Sequence, residues 1–137
     1  MNLCKLLGNN LRFLRRAAGI ATRGNSFSQL EIADFIGVSR KTIVFWESGH
    51  IPSRRMMGVL CDFFSRKLGL DEPLLPEQLM NEDISEYFFI VPERAEVKKV
   101  TPQQKKMLSG LFARASQLHE KDLEKIIEIL DNLVGEL

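Results

Sequence analysis

Residues 28–49 constrain the fold of this 137-residue chain more than any other stretch. Ser28 and Glu31 have the spacing of a capping box, which begins a helix, and Gly37 can end that helix by taking a positive φ at little steric cost. Ser39, two residues further on, can cap a second helix. The segment therefore predicts two short helices joined by a tight turn.

The second of these predicted helices has two chemically different sides. Ile43 and Trp46 are spaced to face inward, whereas the first turn carries Arg40, Lys41 and Thr42. Cations at a helix N-terminus oppose the helix dipole, so a nearby anion would explain their presence better than solvent does. A unit of this kind fits the major groove of DNA.

Further helices are predicted on both sides of this pair. One covers residues 5–18 and ends at Gly19, after which the small and polar residues 20–27 indicate a loop. Another covers residues 52–69 and has a broad apolar face. The inner face of the helix that Ser28 begins is predicted to consist of Leu30, Ala33, Phe35 and Ile36.

The chain changes character after residue 70. Three prolines and a run of acids interrupt helical periodicity over residues 71–101, which are predicted to form a linker. Within it, residues 84–91 are rich in aromatic and β-branched side chains. They form either an extended segment or a short helix followed by an extended run. Thr101 and Pro102 then have the residue types and order that begin a helix.

Residues 102–137 predict a helical hairpin whose second helix starts near Glu120. Its apolar stripes offer more surface than two helices can hide against each other. We therefore expect the hairpin to pack on another chain, which makes a homodimer through the C-terminal helices. The alternative is that it docks back on the front domain, residues 1–70.

The overall charge of +1 conceals an uneven distribution. Residues 1–69 hold 11 Lys and Arg against 4 Asp and Glu, whereas residues 70–137 hold 8 against 14. A basic front half indicates contact with a polyanion, and the acidic rear half indicates a different task. The alternative is that both charges belong to solvated faces of one domain.

Several function classes are not expected from this composition. The two cysteines and two histidines lack metal-site spacing, so we expect no metal, and reduced thiols with Cys61 in the core. No stretch approaches the roughly 20 apolar residues of a membrane helix, and the first residues lack the apolar region of a signal peptide. No phosphate loop or His-centred constellation is present in the sequence. We therefore expect a cytoplasmic protein with no enzymatic activity, catalytic residue or cofactor.

Four segments share the spacing of one known family: residues 11–15, 28–33, 36–49 and 51–53. On these residues the chain resembles the Cro/phage-repressor helix-turn-helix regulators, also called the xenobiotic-response-element type. The resemblance covers about residues 6–70. It implies an all-α, lambda-repressor-like domain of five short helices, followed here by the linker and the C-terminal hairpin. It also implies sequence-specific binding of double-stranded DNA as a dimer, with the helix of residues 40–48 in the major groove.

Three features depart from the family pattern. The loop after the first helix is about seven residues longer than usual. The surface of the second motif helix carries apolar Val44 and Phe45, where polar side chains are usual. Arg54 and Arg55 begin the next helix, where one apolar residue is common.

The resemblance and the chemistry of the side chains together select the predicted contacts. Arg40 can bond guanine O6 and N7, and Gln29 matches a phosphate-contacting position. Ser39 is either a plain N-cap or a contact as well. Phe45 either meets a thymine methyl group or packs on the loop of residues 20–27. Arg23 is a weaker candidate. The predicted DNA-binding residues are Gln29, Ser39, Arg40, Lys41, Thr42, Phe45, His50, Arg54 and Arg55.

Four other residues are predicted to support the motif without touching DNA. Gly37 makes the turn and Trp46 belongs to the core, while Arg15 and Glu47 match a family pair that bridges two helices. Together these features predict a transcriptional regulator, and the resemblance favours a repressor that occludes polymerase. The alternative is an antitoxin or adaptor that acts mainly on a protein partner.

Overall fold

The computed structural model describes residues 3–91, residues 94–115 and residue 128, with side chains as far as residue 111 and at residue 128. This part of the chain is mostly helical and contains one small sheet of two strands. Two compact units are present. The first consists of residues 1–85 and 90–97, and the second of residues 86–89 and 98–137.

The described elements follow one another in a simple order. The first five helices are α1 (Lys5–Arg23), α2 (Gln29–Ile36), α3 (Arg40–Glu47), α4 (Arg54–Lys67) and α5 (Pro76–Asn81). After them come a 3₁₀ turn (Ile84–Tyr87), the paired strands β1 (Phe88–Val91) and β2 (Glu96–Lys99), and α6 (Pro102–Ala115). Residues 84–91 thus take the second of the two forms predicted for them, a short helical turn followed by an extended run.

Helix α1 is longer than the sequence predicts. It does not end at Gly19 but continues to Arg23, where the backbone N–H of Gly24 donates to the carbonyl of Ile20 at 3.0 Å. Gly19 is buried inside the helix, and a β-carbon there would lie 2.6 Å from the carbonyl carbon of Ser26. The glycine therefore permits close approach of the following loop, and does not stop the helix. The predicted loop of residues 20–27 was wrong over its first four residues.

Alanine substitutions at two helical glycines should have opposite effects on stability. Gly19→Ala should destabilise the fold by about 1–3 kcal/mol, because its methyl group overlaps loop backbone that cannot move aside freely. Gly58→Ala in α4 should stabilise it by about 0.5–1 kcal/mol, because a β-carbon there has no neighbour within 4 Å. Urea titration followed by the fluorescence of Trp46, the only tryptophan in the chain, measures both. Shifts in the same direction would contradict this account.

Helix α2 buries only part of the face predicted for it: Ala33 and Ile36 face inward as predicted, whereas Leu30 and Phe35 do not. Leu30 and Phe35 are each 54% exposed, whereas Ile32 and Ala33 are buried. The inward arc runs through positions 29, 32, 33 and 36, which is ordinary helical spacing. Leu30 and Phe35 are apolar as well but lie outside this arc, so apolar character alone did not identify the inner face.

The N-terminus of α2 has the predicted capping box. Ser28 Oγ accepts from the backbone N–H of Glu31 at 3.1 Å, and Glu31 Oε1 accepts from the backbone N–H of Ser28 at 3.0 Å. The Arg23 guanidinium also pairs with the Glu31 carboxylate and donates to the carbonyl of Ser26 at 2.7 Å. Arg23, the weaker DNA-contact candidate, is thus engaged in joining the end of α1 to the start of α2.

This cluster should make part of the stability depend on acid pH. The Arg23 bond and then the Ser28 backbone bond lower the pKa of Glu31 from 4.5 to about 2. The unfolded chain therefore takes up the proton first as the pH falls. The stability that Glu31 contributes should be complete above pH 4.5 and lost towards pH 2. Comparison of urea midpoints for the wild type and Glu31→Gln should show a difference at pH 7 that shrinks across this window. An equal difference at both ends would contradict the account.

Residues beyond the predicted boundary at residue 70 fold with the first unit. Asn10 in α1 is only 1% exposed, and its amide nitrogen donates to the carbonyls of Leu79 at 2.8 Å and Glu82 at 2.7 Å. Its carbonyl oxygen accepts from the backbone N–H of Ile84 at 3.0 Å. One buried side chain thereby satisfies three backbone groups that follow α5 or lie at its end. The first unit extends to Ser85, so it includes residues that the sequence assigns to a linker.

Helix α6 begins as predicted. Thr101 Oγ1 accepts from the backbone N–H of Gln104 at 3.1 Å, and Pro102 is the first helical residue. The predicted second helix near Glu120, and the hairpin that it would complete, lie outside the described residues except for residue 128. Cys61 is buried as expected, and burial raises the pKa of its thiol to about 11.

Neither a helix that could span a membrane nor a cluster of metal ligands is found among the described residues. Over residues 3–91 and 94–115, none of the helices combines the length and the apolar composition that crossing a bilayer requires. The same residues contain no group of three or more His, Cys, Asp and Glu side chains arranged to hold a metal ion.

Candidate nucleic-acid interface

Helices α2 and α3 are joined by the tight turn that the sequence predicts. Gly37 has φ 85°, and its N–H and that of Val38 donate to the carbonyl of Ala33 at 2.8 and 3.0 Å. Ser39 Oγ then accepts from the backbone N–H of Thr42 at 3.2 Å, which caps α3. Left-handed backbone at Gly37 lets the chain reverse within three residues without a side-chain clash.

The inward residues of α3 fix which side of the helix faces solvent. Ile43 and Trp46 are buried, as predicted, whereas Arg40 and Lys41 are exposed on the first turn. Thr42 Oγ1 lies 2.9 Å from Ser39 Oγ, so the two hydroxyl groups share a hydrogen bond at the same end. The first turn of α3 therefore presents two cations and two hydroxyl groups.

Glu47, at the end of α3, is a buried carboxylate with a complete set of partners. It is 4% exposed, and Arg15 donates to it from Nε at 2.7 Å and from Nη2 at 3.0 Å. Arg15 Nη1 also donates to the carbonyl of Phe27 at 2.9 Å. This two-point pair joins α1 to α3, which is the bridge that the family resemblance implies, and it orients α3 in the unit.

Gln29 bonds within the protein. Its amide nitrogen donates to Glu47 Oε1 at 3.1 Å, and its carbonyl oxygen lies 3.5 Å from Nη2 of Arg40. The second distance is at the limit of a hydrogen bond, so this link is weak. The amide nitrogen of Gln29 carries two N–H groups, so one can bond Glu47 while the other donates to a phosphate oxygen.

Arg12 lies near the Glu47 carboxylate, as Arg15 and Gln29 do, although the sequence does not single it out. Its side chain is exposed, and its Nε is 3.8 Å from Glu47 Oε1, the oxygen that Gln29 also contacts. The only sequence signal was its position three residues before Arg15 on the same helix. Arg12 therefore adds a cation beside the start of α2.

Phe45 points away from the core, as predicted, and is 48% exposed. Its ring makes an edge-to-face contact with His50, with centroids 5.2 Å apart. Residues 20–23, half of the loop proposed as the alternative partner of Phe45, belong to α1. The exposed phenyl ring and the His50 imidazole form one continuous aromatic surface beyond α3.

Arg54 and Arg55 extend the basic surface onto the next helix. Both are exposed in the first turn of α4, behind the N-cap Ser53. Within residues 3–91, Arg54, Arg55 and Lys41 form no ion pair with a carboxylate. The structure thus leaves these predicted cations available to an external anion.

Comparison with known proteins assigns neither a family nor a function to this chain. No protein-family model, curated protein or solved structure gives a significant match to this chain. A function for the site must therefore be argued from its own geometry and charge.

Proposed function

We propose that this chain is a sequence-specific DNA-binding regulator of transcription that reads the major groove with α3. One observation carries the proposal: Arg40 and Lys41 are exposed on the first turn of a helix that buried Ile43 and Trp46 hold in place. The lambda-repressor-like domain of five short helices, implied by the resemblance, is part of the same proposal. Five consecutive helices, α1 to α5, and the tight turn at Gly37 between α2 and α3 support this architecture.

Each exposed group on α3 would have a distinct task. Arg40 would make paired bonds to guanine O6 and N7, and Lys41 would contact a base or a phosphate group. The hydroxyl groups of Ser39 and Thr42 would bond phosphate oxygens or base edges. Phe45 would contact a thymine methyl group, which suits an exposed phenyl ring.

A second group of residues would bind the sugar-phosphate backbone beside the groove. It contains Arg54, Arg55 and His50, together with Gln29, whose amide nitrogen has a second N–H besides the one that bonds Glu47. Each phosphate group that they neutralise releases counterions, so the log–log slope of affinity against salt should be about −0.9 per contact. These contacts position α3 and do not themselves select a sequence.

The regulator would act as a dimer in the cytoplasm. One recognition helix reads only a few base pairs, and a two-fold pair doubles the site that is read. We propose that the C-terminal residues supply the dimer contact and that the bound dimer represses by excluding polymerase. The acidic balance of residues 70–137 is consistent with a task other than DNA contact.

In vitro selection of bound duplexes, followed by sequencing, tests the proposal. The full chain should enrich a sequence with two-fold symmetry. Fluorescence anisotropy should then show that it binds this operator at least about a thousandfold more tightly than a scrambled duplex at physiological salt. Equally weak binding to both duplexes would refute the proposed function.

A second candidate function, an antitoxin or adaptor, is favoured by the exposed apolar side chains on α3. Val44 and Phe45 are both exposed where a DNA-reading helix would usually be polar. Such a surface suits a protein partner. Retention of a stoichiometric protein partner together with no DNA discrimination would favour this candidate over the first.

A further inference from the structure

An open groove lies between the end of α2 and the middle of α4, in the first unit. Its apolar lining consists of Phe35, Ile36, Val59 and Phe63, and its volume is about 450 Å³. Phe35 and Val59 are exposed, although their rings and methyl groups would be more stable out of water. We call this surface the α2–α4 groove.

The rim of the groove carries positive charge. Lys67 Nζ lies 5.0 Å from the ring centroid of Phe35 and 5.7 Å from that of Phe63. Arg66, beside it, is already paired with Asp62 at 2.9 Å. Within residues 3–91, Lys67 has aromatic rings beneath it and no carboxylate partner. The groove therefore suits a segment in which an apolar stripe is flanked by carboxylates.

This chain contains a segment with that chemistry. Residues 116–137 hold six Asp and Glu against two Lys, and Leu123, Ile127, Leu130 and Val134 recur at the spacing of one helix face. Glu120, Glu124 and Glu128 recur at four-residue spacing alongside that stripe. Glu128 is described as helical and exposed, so its carboxylate is open to another molecule.

We propose that the α2–α4 groove binds residues 116–137 of a second copy of this chain. Each copy carries one groove and one acidic segment, so a two-fold pair exchanges two identical contacts, as closed symmetry requires. The apolar stripe would cover Phe35, Val59 and Phe63, and the glutamate row would pair with Lys67. The inference rests on the proposed function in one respect, because reading a two-fold operator needs two copies held together.

Sedimentation velocity of the full chain without DNA tests the inference. The wild type should be a dimer at micromolar concentration. Val59→Glu and Lys67→Glu should each raise the dissociation constant at least about tenfold, which is about 1.4 kcal/mol. Leu75→Glu is the matched control, because Leu75 is an exposed apolar residue of the same unit, like Val59, but lies outside the groove. This control should change the dissociation constant of the dimer less than about twofold. Trp46 fluorescence should show that all three variants are folded.

Charge reversal provides a second and sharper test. Lys67→Glu combined with Glu124→Lys and Glu128→Lys should restore dimerisation, whereas the two Glu→Lys changes alone should weaken it. A wild type that is monomeric at tens of micromolar would overturn the inference and leave the groove to an acidic segment of the same copy or of another protein. A dimer unaffected by the groove variants would also overturn it. Neither result depends on DNA discrimination, so failure of the proposed function remains a separate outcome.

Discussion

Replacing Arg40 and Lys41 together by alanine is expected to remove most of the preference for the selected operator over scrambled DNA. A good paired bond to a base is worth roughly 1–3 kcal/mol, and a dimer makes it in each of two half-sites. The preference should therefore fall on the order of a hundredfold or more. Both side chains are exposed on the first turn of α3, so the fold should remain intact. Anisotropy titrations on the two duplexes at one salt concentration measure the change.

The matched control removes the same number of charges from the next helix. Arg54→Ala with Arg55→Ala should weaken binding to both duplexes by a similar factor, because phosphate contacts carry no sequence information. The preference should then survive, while the salt slope becomes shallower by about 0.9 for each lost phosphate contact in each copy. If the Arg40 and Lys41 variant keeps its preference, α3 does not read the bases and the proposed function fails.

Helices α2 and α3 and the turn between them could be predicted because their signals are local. The capping box of Ser28 and Glu31, the turn at Gly37 and the cap at Ser39 each satisfy backbone groups within three or four residues. Such contacts form in the same way whatever surrounds them. The starts of α2 and α3 and the turn between them followed from these contacts. The inward direction of Ile43 and Trp46 followed from their helical spacing.

Features that depend on distant backbone could not be predicted in this way. Gly19 looks like a helix stop in sequence, and only the approach of the loop at residues 24–28 shows that it is a packing glycine. Asn10 looks like a surface residue on a helix, but its partners lie 69 or more positions away. The assignment of residues 71–85 to a linker failed to anticipate their place in the first unit because these long-range bonds leave no pattern within a sequence window.

The exposure of the candidate site's cations and the bridge from Arg15 to Glu47 could be predicted, whereas the bond from Gln29 could not. The cations of α3 and α4 are exposed as the sequence indicated, and Arg15 lies on Glu47. The bond from Gln29 to that pair was not predicted, because Gln29 was assigned to a phosphate contact outside the protein. Leu30 and Phe35 were wrongly assigned to the inner face of α2, whose inward arc consists of residues 29, 32, 33 and 36.

Removing the charge of Glu47 is expected to produce the largest loss of stability. Glu47→Gln keeps the shape of the side chain but leaves the largely buried Arg15 guanidinium without its carboxylate. Breaking one side of such a pair costs about 3 kcal/mol or more, because the remaining charge is poorly solvated. Urea titration measures this loss, and the fluorescence of Trp46, the neighbour of Glu47 in the sequence, reports the unfolding.

Asp62→Asn is the matched control, since it makes the same isosteric change in the exposed pair of Asp62 with Arg66. It should cost no more than about 0.5 kcal/mol, because water solvates both partners when the pair is broken. Both variants exchange a carboxylate for an amide in a close pair with an arginine, and the second arginine near Glu47, Arg12, is exposed to water. The contrast therefore tests burial as the cause. Equal losses of unfolding free energy in the two variants would contradict this account. The contact between α1 and α3 would then depend on apolar packing around Trp46, and the charge of the Arg15–Glu47 pair would not stabilise it.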